Sequence, residues 1–119
     1  VSLPVSLPFV KAGRLRALAL TSAARSEALP DVPTLGESLP GYEASGWAGL
    51  CAPRDTPRAV IDTVNQAVND ILIDPVLRAR FTELGATTMP GSPADFARFI
   101  ATEIDKWARV IRAANIRPT

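Results

Sequence analysis

Apolar residues recur at three- and four-residue spacing along two stretches of this chain. Each stretch predicts a helix with one face turned to a core. In residues 57–73 the positions are Val60, Ile61, Val64, Ala67, Val68, Ile71 and Leu72. Thr56 stands where an N-cap belongs and Pro57 at the first helical position, where its missing N–H costs nothing. The second stretch is residues 93–114, with Phe96, Phe99, Ile100, Ile104, Trp107, Val110, Ile111 and Ala114. Ser92 caps it, Asp95 suits the third helical position, and Asn115 can end it. Between them, Asp74-Pro75 restarts a helix that carries Val76, Leu77, Phe81 and Leu84 inward and stops at Gly85.

Elsewhere the pattern tightens toward strands. The apolar run after Arg16, within Arg14–Thr21, suits a buried strand, and residues 43–51 and Ala86–Met89 read as two more. Leu7–Lys11 predicts a short helix capped by Ser6 and stopped at Gly13. Ser22–Pro33 is a loop, Thr34–Ser38 a single helical turn, and Leu39-Pro40-Gly41 a tight turn. Strands and helices alternate and the helices gather at the C-terminal end, which argues for an α/β fold. Three strands make a thin sheet, like a piece of a larger one.

The most informative stretch is residues 41–60, GYEASGWAGLCAPRDTPRAV. Ser, Gly and Ala surround one large aromatic, Trp47. Such a backbone lets a small ligand approach closely. It also fits a plain buried strand with a packed Trp.

Composition narrows the chemistry. The chain has 119 residues, 47% hydrophobic, with a net charge of +1. That is one domain of ordinary size, and its charge balance suggests neither nucleic acid nor an anionic membrane as partner. No stretch has membrane-spanning length. There is no histidine, which removes the commonest general base and metal ligand. Cys51 is the single cysteine, so no intrachain disulfide or cysteine metal cluster can form, and its apolar surroundings predict an inert core thiol. The serines have no histidine to activate them. Asp31, Glu37 and Glu43 read as solvated loop charges without partners. Asp62, Asp70, Glu103 and Asp105 read as solvated helix faces, and Trp107 as a core residue. Arg25, Arg54 and Arg58 are candidates to pair with a ligand carboxylate. No catalytic residue, metal site or cofactor is expected.

The order of motifs resembles the receptors of tripartite tricarboxylate transporters, also called the Bug family. The pieces that carry the likeness are Leu7–Ser22 (LPFVKAGRLRALALTS), Ala24–Glu37 (ARSEALPDVPTLGE) and Gly41–Pro57. They are followed by Asp74-Pro75, Leu84-Gly85, Ser92-Pro-Ala-Asp-Phe96 and Trp107. The likeness runs along essentially the whole chain. Two positions depart from it: the family often has aromatics where this chain has Ala48 and Cys51, which bears on the shape of a pocket rather than on the fold.

The resemblance implies a non-enzymatic, periplasmic solute-binding protein with two α/β lobes that close on a small carboxylated ligand and pass it to a membrane permease. It implies a partial type II periplasmic-binding-protein architecture, with this chain as the C-terminal part of a two-lobed receptor. Residues 1–42 would end the second lobe. Residues 43–119 would form the hinge strand and the C-terminal part of the first lobe. The absence of an initiating Met fits that expectation. Strand ends in α/β sheets face the ligand crevice, so Thr21, Ser22, Ser45, Gly46 and Trp47 are the expected ligand-binding residues. An effector-binding domain of a transcriptional regulator with the same lobes is the alternative. A small enzyme using Cys51 or a serine is the third and weakest reading. A chain that forms one wall of a cleft is also expected to associate with itself.

Overall fold

In a computed structural model, which describes residues 2–117, four α-helices are joined by extended segments. Helix α1 runs Leu3–Lys11, α2 Arg58–Ile73, α3 Pro75–Glu83 and α4 Pro93–Ala113. A single 3₁₀ turn, Leu35–Glu37, lies between α1 and α2.

Three of the helices form where the pattern places them. Asp74 caps α3, its Oδ1 accepting from the N–H groups of Val76 and Leu77, both at 2.9 Å. Gly85 follows α3 at φ +75°, the left-handed geometry that ends a helix. Ser92 and Asp95 form a reciprocal capping box at the start of α4, and Asn115 at φ +51° follows its end. Helix α2 starts one residue late, with Pro57 in the cap position rather than Thr56.

Helix α1 begins four residues earlier than Leu7. Its cap position is Ser2, not Ser6, and it passes through Pro8. A proline inside a helix removes one ladder bond. What offsets it is Leu7, 2% exposed and the one fully buried apolar side chain among the described residues.

The expected strands need correction. Among the described residues, Arg14–Thr21, 43–51 and Ala86–Met89 form no ladder. Leu20 and Thr34 make one isolated parallel bridge: Leu20 N donates to Pro33 O at 2.9 Å and Leu35 N to Leu20 O at 2.8 Å. A strand is defined by a neighbour, and these segments have no partner strand to bond along their length.

The surface is large for the mass. A folded 12.7 kDa monomer exposes about 6,200 Å², and this chain exposes 9387 Å². Its radius of gyration is 17.1 Å, against about 13.5 Å for a compact chain of this length. Much of the excess is apolar: Leu18, Leu50 and Val76 are at least 70% exposed. Cys51 is exposed too, not a core thiol. No helix among the described residues is long and apolar enough to cross a membrane.

Candidate functional site

The extended segment after Gly41 is held at both ends, and the five candidate residues lie on or beside it. At its start, Ala44 N donates to Thr21 O at 2.8 Å, which seats Thr21 and Ser22 next to Ser45. Ser22 is half-buried, and its hydroxyl donates to Ala24 O at 2.7 Å. Ser45 is half-buried and Thr21 exposed. Gly46 is exposed, and a Cβ placed there would meet nothing within 4 Å. Backbone and hydroxyls are therefore approachable along Thr21–Ser22 and Ser45–Gly46.

Trp47 is differently engaged. Its ring stands edge-on to Phe96 at 5.7 Å and to Phe99 at 5.2 Å, and 44% of the residue remains exposed. Such aromatic pairs contribute about 0.5–1.5 kcal/mol beyond area burial. Gly49 lies so close to Phe96 that a Cβ would fall 2.2 Å from its Cζ. The segment thus lies directly on the first turns of α4.

Behind Trp47 sits a charged cluster that the sequence pattern does not announce. Glu103 is buried, 7% exposed, not on a solvated helix face. Its Oε2 accepts the indole N–H of Trp107 at 3.0 Å. Lys106 pairs with Glu103 and lies 3.3 Å from Glu43 Oε2. The hydrogen bond from Lys106 holds Glu103 below the usual carboxylate range against the opposing effect of burial, and the two indoles, Trp107 and Trp47, add to it. Reciprocally, Glu103 raises the Lys106 ammonium above its ordinary value, against burial, with Glu43 adding to it. The spacing Glu103–Lys106–Trp107 was the available signal, since residues three and four apart share a helix face. Trp107 itself is 39% exposed, so it is not the core residue its position suggested.

A second clasp orders the loop before the segment. Arg25 grips Glu37 with two parallel bonds, Nε to Oε1 at 2.8 Å and Nη2 to Oε2 at 2.7 Å, and its Nη1 donates to Pro30 O at 3.2 Å. Glu37 Oε1 also accepts from Thr34 N at 3.0 Å. The Arg25 hydrogen bond and then the Thr34 N–H bring the Glu37 carboxyl down to about 2. Neither Glu37 nor Glu43 is an unpaired loop charge. Two of the three candidate arginines are occupied internally, Arg25 by Glu37 and Arg58 by Asp62 at 2.9 Å.

No group of metal-ligating side chains gathers among the described residues. What remains chemically is a rim of hydroxyls and open backbone beside an aromatic shelf. That arrangement can donate hydrogen bonds to an anion and cover an apolar stem.

The profile of the tripartite tricarboxylate transporter family receptor matches residues 1–116. The protein BugT of Bordetella pertussis is 37% identical over 117 residues, covering 98% of this chain and 36% of BugT. A UPF0065 protein of Bordetella bronchiseptica is 34% identical over 111 residues, covering 93% of this chain and 33% of its own. Among solved structures, R. palustris Rpa4515 with adipate superposes with a TM-score of 0.89 at 37% identity, covering 98% of this chain and 40% of that one. The periplasmic binding protein BugD gives a TM-score of 0.84 at 29% identity, with coverage of 96% and 39%. The chain spans about a third of the length of most of the curated relatives it matches and two thirds of one.

Proposed function

The chain belongs to the tripartite tricarboxylate transporter receptor family, and from that premise we propose that it forms part of a periplasmic receptor for a small carboxylated metabolite. The observation that carries this reading is the likeness to the adipate-containing Rpa4515, at a TM-score of 0.89 and 37% identity. The receptor has two lobes and delivers its ligand to membrane permease subunits. Residues 1–42 end the second lobe, and residues 43–119 return through the hinge into the first. It catalyses no reaction.

In this reading Thr21 and Ser45 offer hydroxyl donors and Ser22 and Gly46 backbone donors to a ligand carboxylate, the Ser22 hydroxyl being engaged by Ala24 O, and Trp47 supplies the apolar wall. Charge-assisted hydrogen bonds to a carboxylate are about twice as strong as neutral ones. One wall cannot surround a ligand, so binding needs the facing lobe.

The test is calorimetric titration of adipate, citrate, glutamate and nicotinate into a receptor of the relatives' full length that carries this chain. One of the four is expected to bind tightly, and Ser45→Ala together with Trp47→Ala to weaken it at least about tenfold, the equivalent of 1.4 kcal/mol. No binding of any carboxylate overturns the proposal. The 119 residues alone are expected to bind none of the four at micromolar concentration.

A further inference from the structure

The side-chain contacts between distant parts of this chain fall into two groups that do not follow the order of the sequence, and the groups touch at the α2–α3 corner and through the bond from Ala44 N to Thr21 O. One group gathers around α4. The segment 43–49 lies on it through Trp47, Gly49 and the Glu43–Lys106 pair. Helix α2 is tied to the approach to α4 by side-chain amides. Asn65 Nδ2 and Asn69 Nδ2 donate to Gly91 O at 2.9 and 3.0 Å, and Gly91 N donates back to Asn69 Oδ1 at 2.9 Å.

The other group gathers around α1 and the loop that follows it. Its far partner is α3. Gly85, just past the end of α3, sits against α1: a Cβ there would fall 2.8 Å from Leu3 Cγ and 3.3 Å from Leu7 Cδ2. Its φ of +75° independently favours glycine. Thr82 Oγ1 reaches Glu27 Oε2 at 3.4 Å. Ser26 and Glu27 on one side, and Arg78, Thr82, Thr87 and Thr88 on the other, line a common small polar cleft.

We infer that α3 and the segment through Thr88 move with residues 1–42, although they lie inside the sequence of the other lobe. The inference rests on the two-lobed reading and refines its boundary. The chain then passes between the two bodies three times: at Tyr42–Glu43, at Asp74, and at Met89–Pro90. Helix α3 is a strap from one body fastened to the other.

The joint at Asp74 has the geometry such a strap needs. One residue separates α2 from α3, at φ −60° and ψ +126°, and it serves as the C-cap position of the first and N-cap of the second. Hinges are a few element-terminal residues that absorb backbone rotation. The Asp74 carboxylate bonds only forward, to Val76 N and Leu77 N. The side-chain cap therefore travels with α3 when the joint turns.

The test places spin labels in pairs on the exposed residues Ala23, Ala79 and Ala101, each replaced by cysteine in a Cys51→Ser background. Pulsed dipolar spectroscopy then gives three distance distributions for the chain. The 23–101 pair tests whether two bodies move at all, and should be broad. The 23–79 pair should be narrow and the 79–101 pair broad with the first. A narrow 79–101 distribution beside a broad 23–79 one puts α3 with α4 and overturns the inference. Breadth in all three frees α3 from both bodies and overturns it as well. If all three are narrow, the two-body reading itself fails, and the strap with it.

Discussion

Lys106 reaches across sixty-three residues to Glu43, Nζ to Oε2 at 3.3 Å, while holding Glu103 on its own helix. The lysine is the only cation among the described residues that joins the segment 43–49 to α4 by an ion pair. Glu103 is buried, so removing its partner leaves a charge with little access to water. Lys106→Met is expected to lower the denaturation midpoint more than Glu43→Gln does, and Lys106→Arg to retain most of it. Urea melts followed by tryptophan fluorescence measure this, since Trp47 and Trp107 both report on the cluster. Equal midpoints for Lys106→Met and the parent would show that the pair carries no net stability.

The carboxyl groups set the acid limb of stability. Glu37 is held at about 2 against an unfolded value of 4.5, chiefly by Arg25. Asp95 is lowered by Ser92, and Glu103 by Lys106. A lowered folded pKa means that the unfolded chain takes up protons first. The stabilisation is therefore complete above pH 4.5 and is lost as pH falls toward about 2. The raised Lys106 acts at the other end: its contribution is complete below its unfolded value of 10.5 and fades as pH rises through the folded one. Thermal melts from pH 2 to 11 should show a plateau with two falling edges. Glu37→Gln should make the acid edge shallower, leaving the share of Asp95 and Glu103, and keep the alkaline edge in place.

Gly46 and Gly49 stand three residues apart and answer differently to a methyl group. At 46 a Cβ meets open space; at 49 it lands on the Phe96 ring. Gly49→Ala is expected to cost about 1–3 kcal/mol, as overpacking does. Gly46→Ala should change stability by less than about 0.5 kcal/mol, as surface substitutions do. Chemical denaturation of the two variants side by side checks the contrast.

Trp107 is 39% exposed and bonded to Glu103. A buried Trp replaced by Ala costs about 3–5 kcal/mol. This partly exposed ring should cost less, about 2–3 kcal/mol by the same scale. A loss below 1 kcal/mol would mean the ring contributes neither packing nor its hydrogen bond.

Leu18, Leu50 and Val76 lie open on a surface half again larger than that of a compact monomer. Exposed apolar area of that extent favours association. At high concentration the isolated chain is expected to be a dimer or higher oligomer, which light scattering at several concentrations will show. A monomer mass near 12.7 kDa throughout, with little dye-binding surface, would contradict it.

The helices were legible because their signals are local. Asp74-Pro75, the Ser92–Asp95 box and the apolar spacing of α2 and α4 each act within a turn or two. Helix α1 was half-legible: Pro8 argues for a helix start, and only the burial of Leu7 against a glycine seventy-eight residues away lets the helix run through it. The strands were misread for the opposite reason. Alternation marks a segment fit for a sheet, yet the ladder depends on a partner that 14–21 and 43–51 lack here. Of the candidate site, the small-residue segment around Trp47 could be read directly. Its support could not, because Glu43 and Lys106 meet only through the fold.

The sixty-three residues between Glu43 and Lys106 are also an interval of time. At a synthesis rate of 5–20 residues per second, Lys106 is added about 3–13 s after Glu43. Through most of that interval the segment with Trp47 has neither Phe96 nor Phe99 to settle on, and Lys106 arrives only at its end. Its backbone stays uncovered until the last helix has been made. A nascent chain in that condition keeps this segment pliable and open to chaperones until α4 has been made.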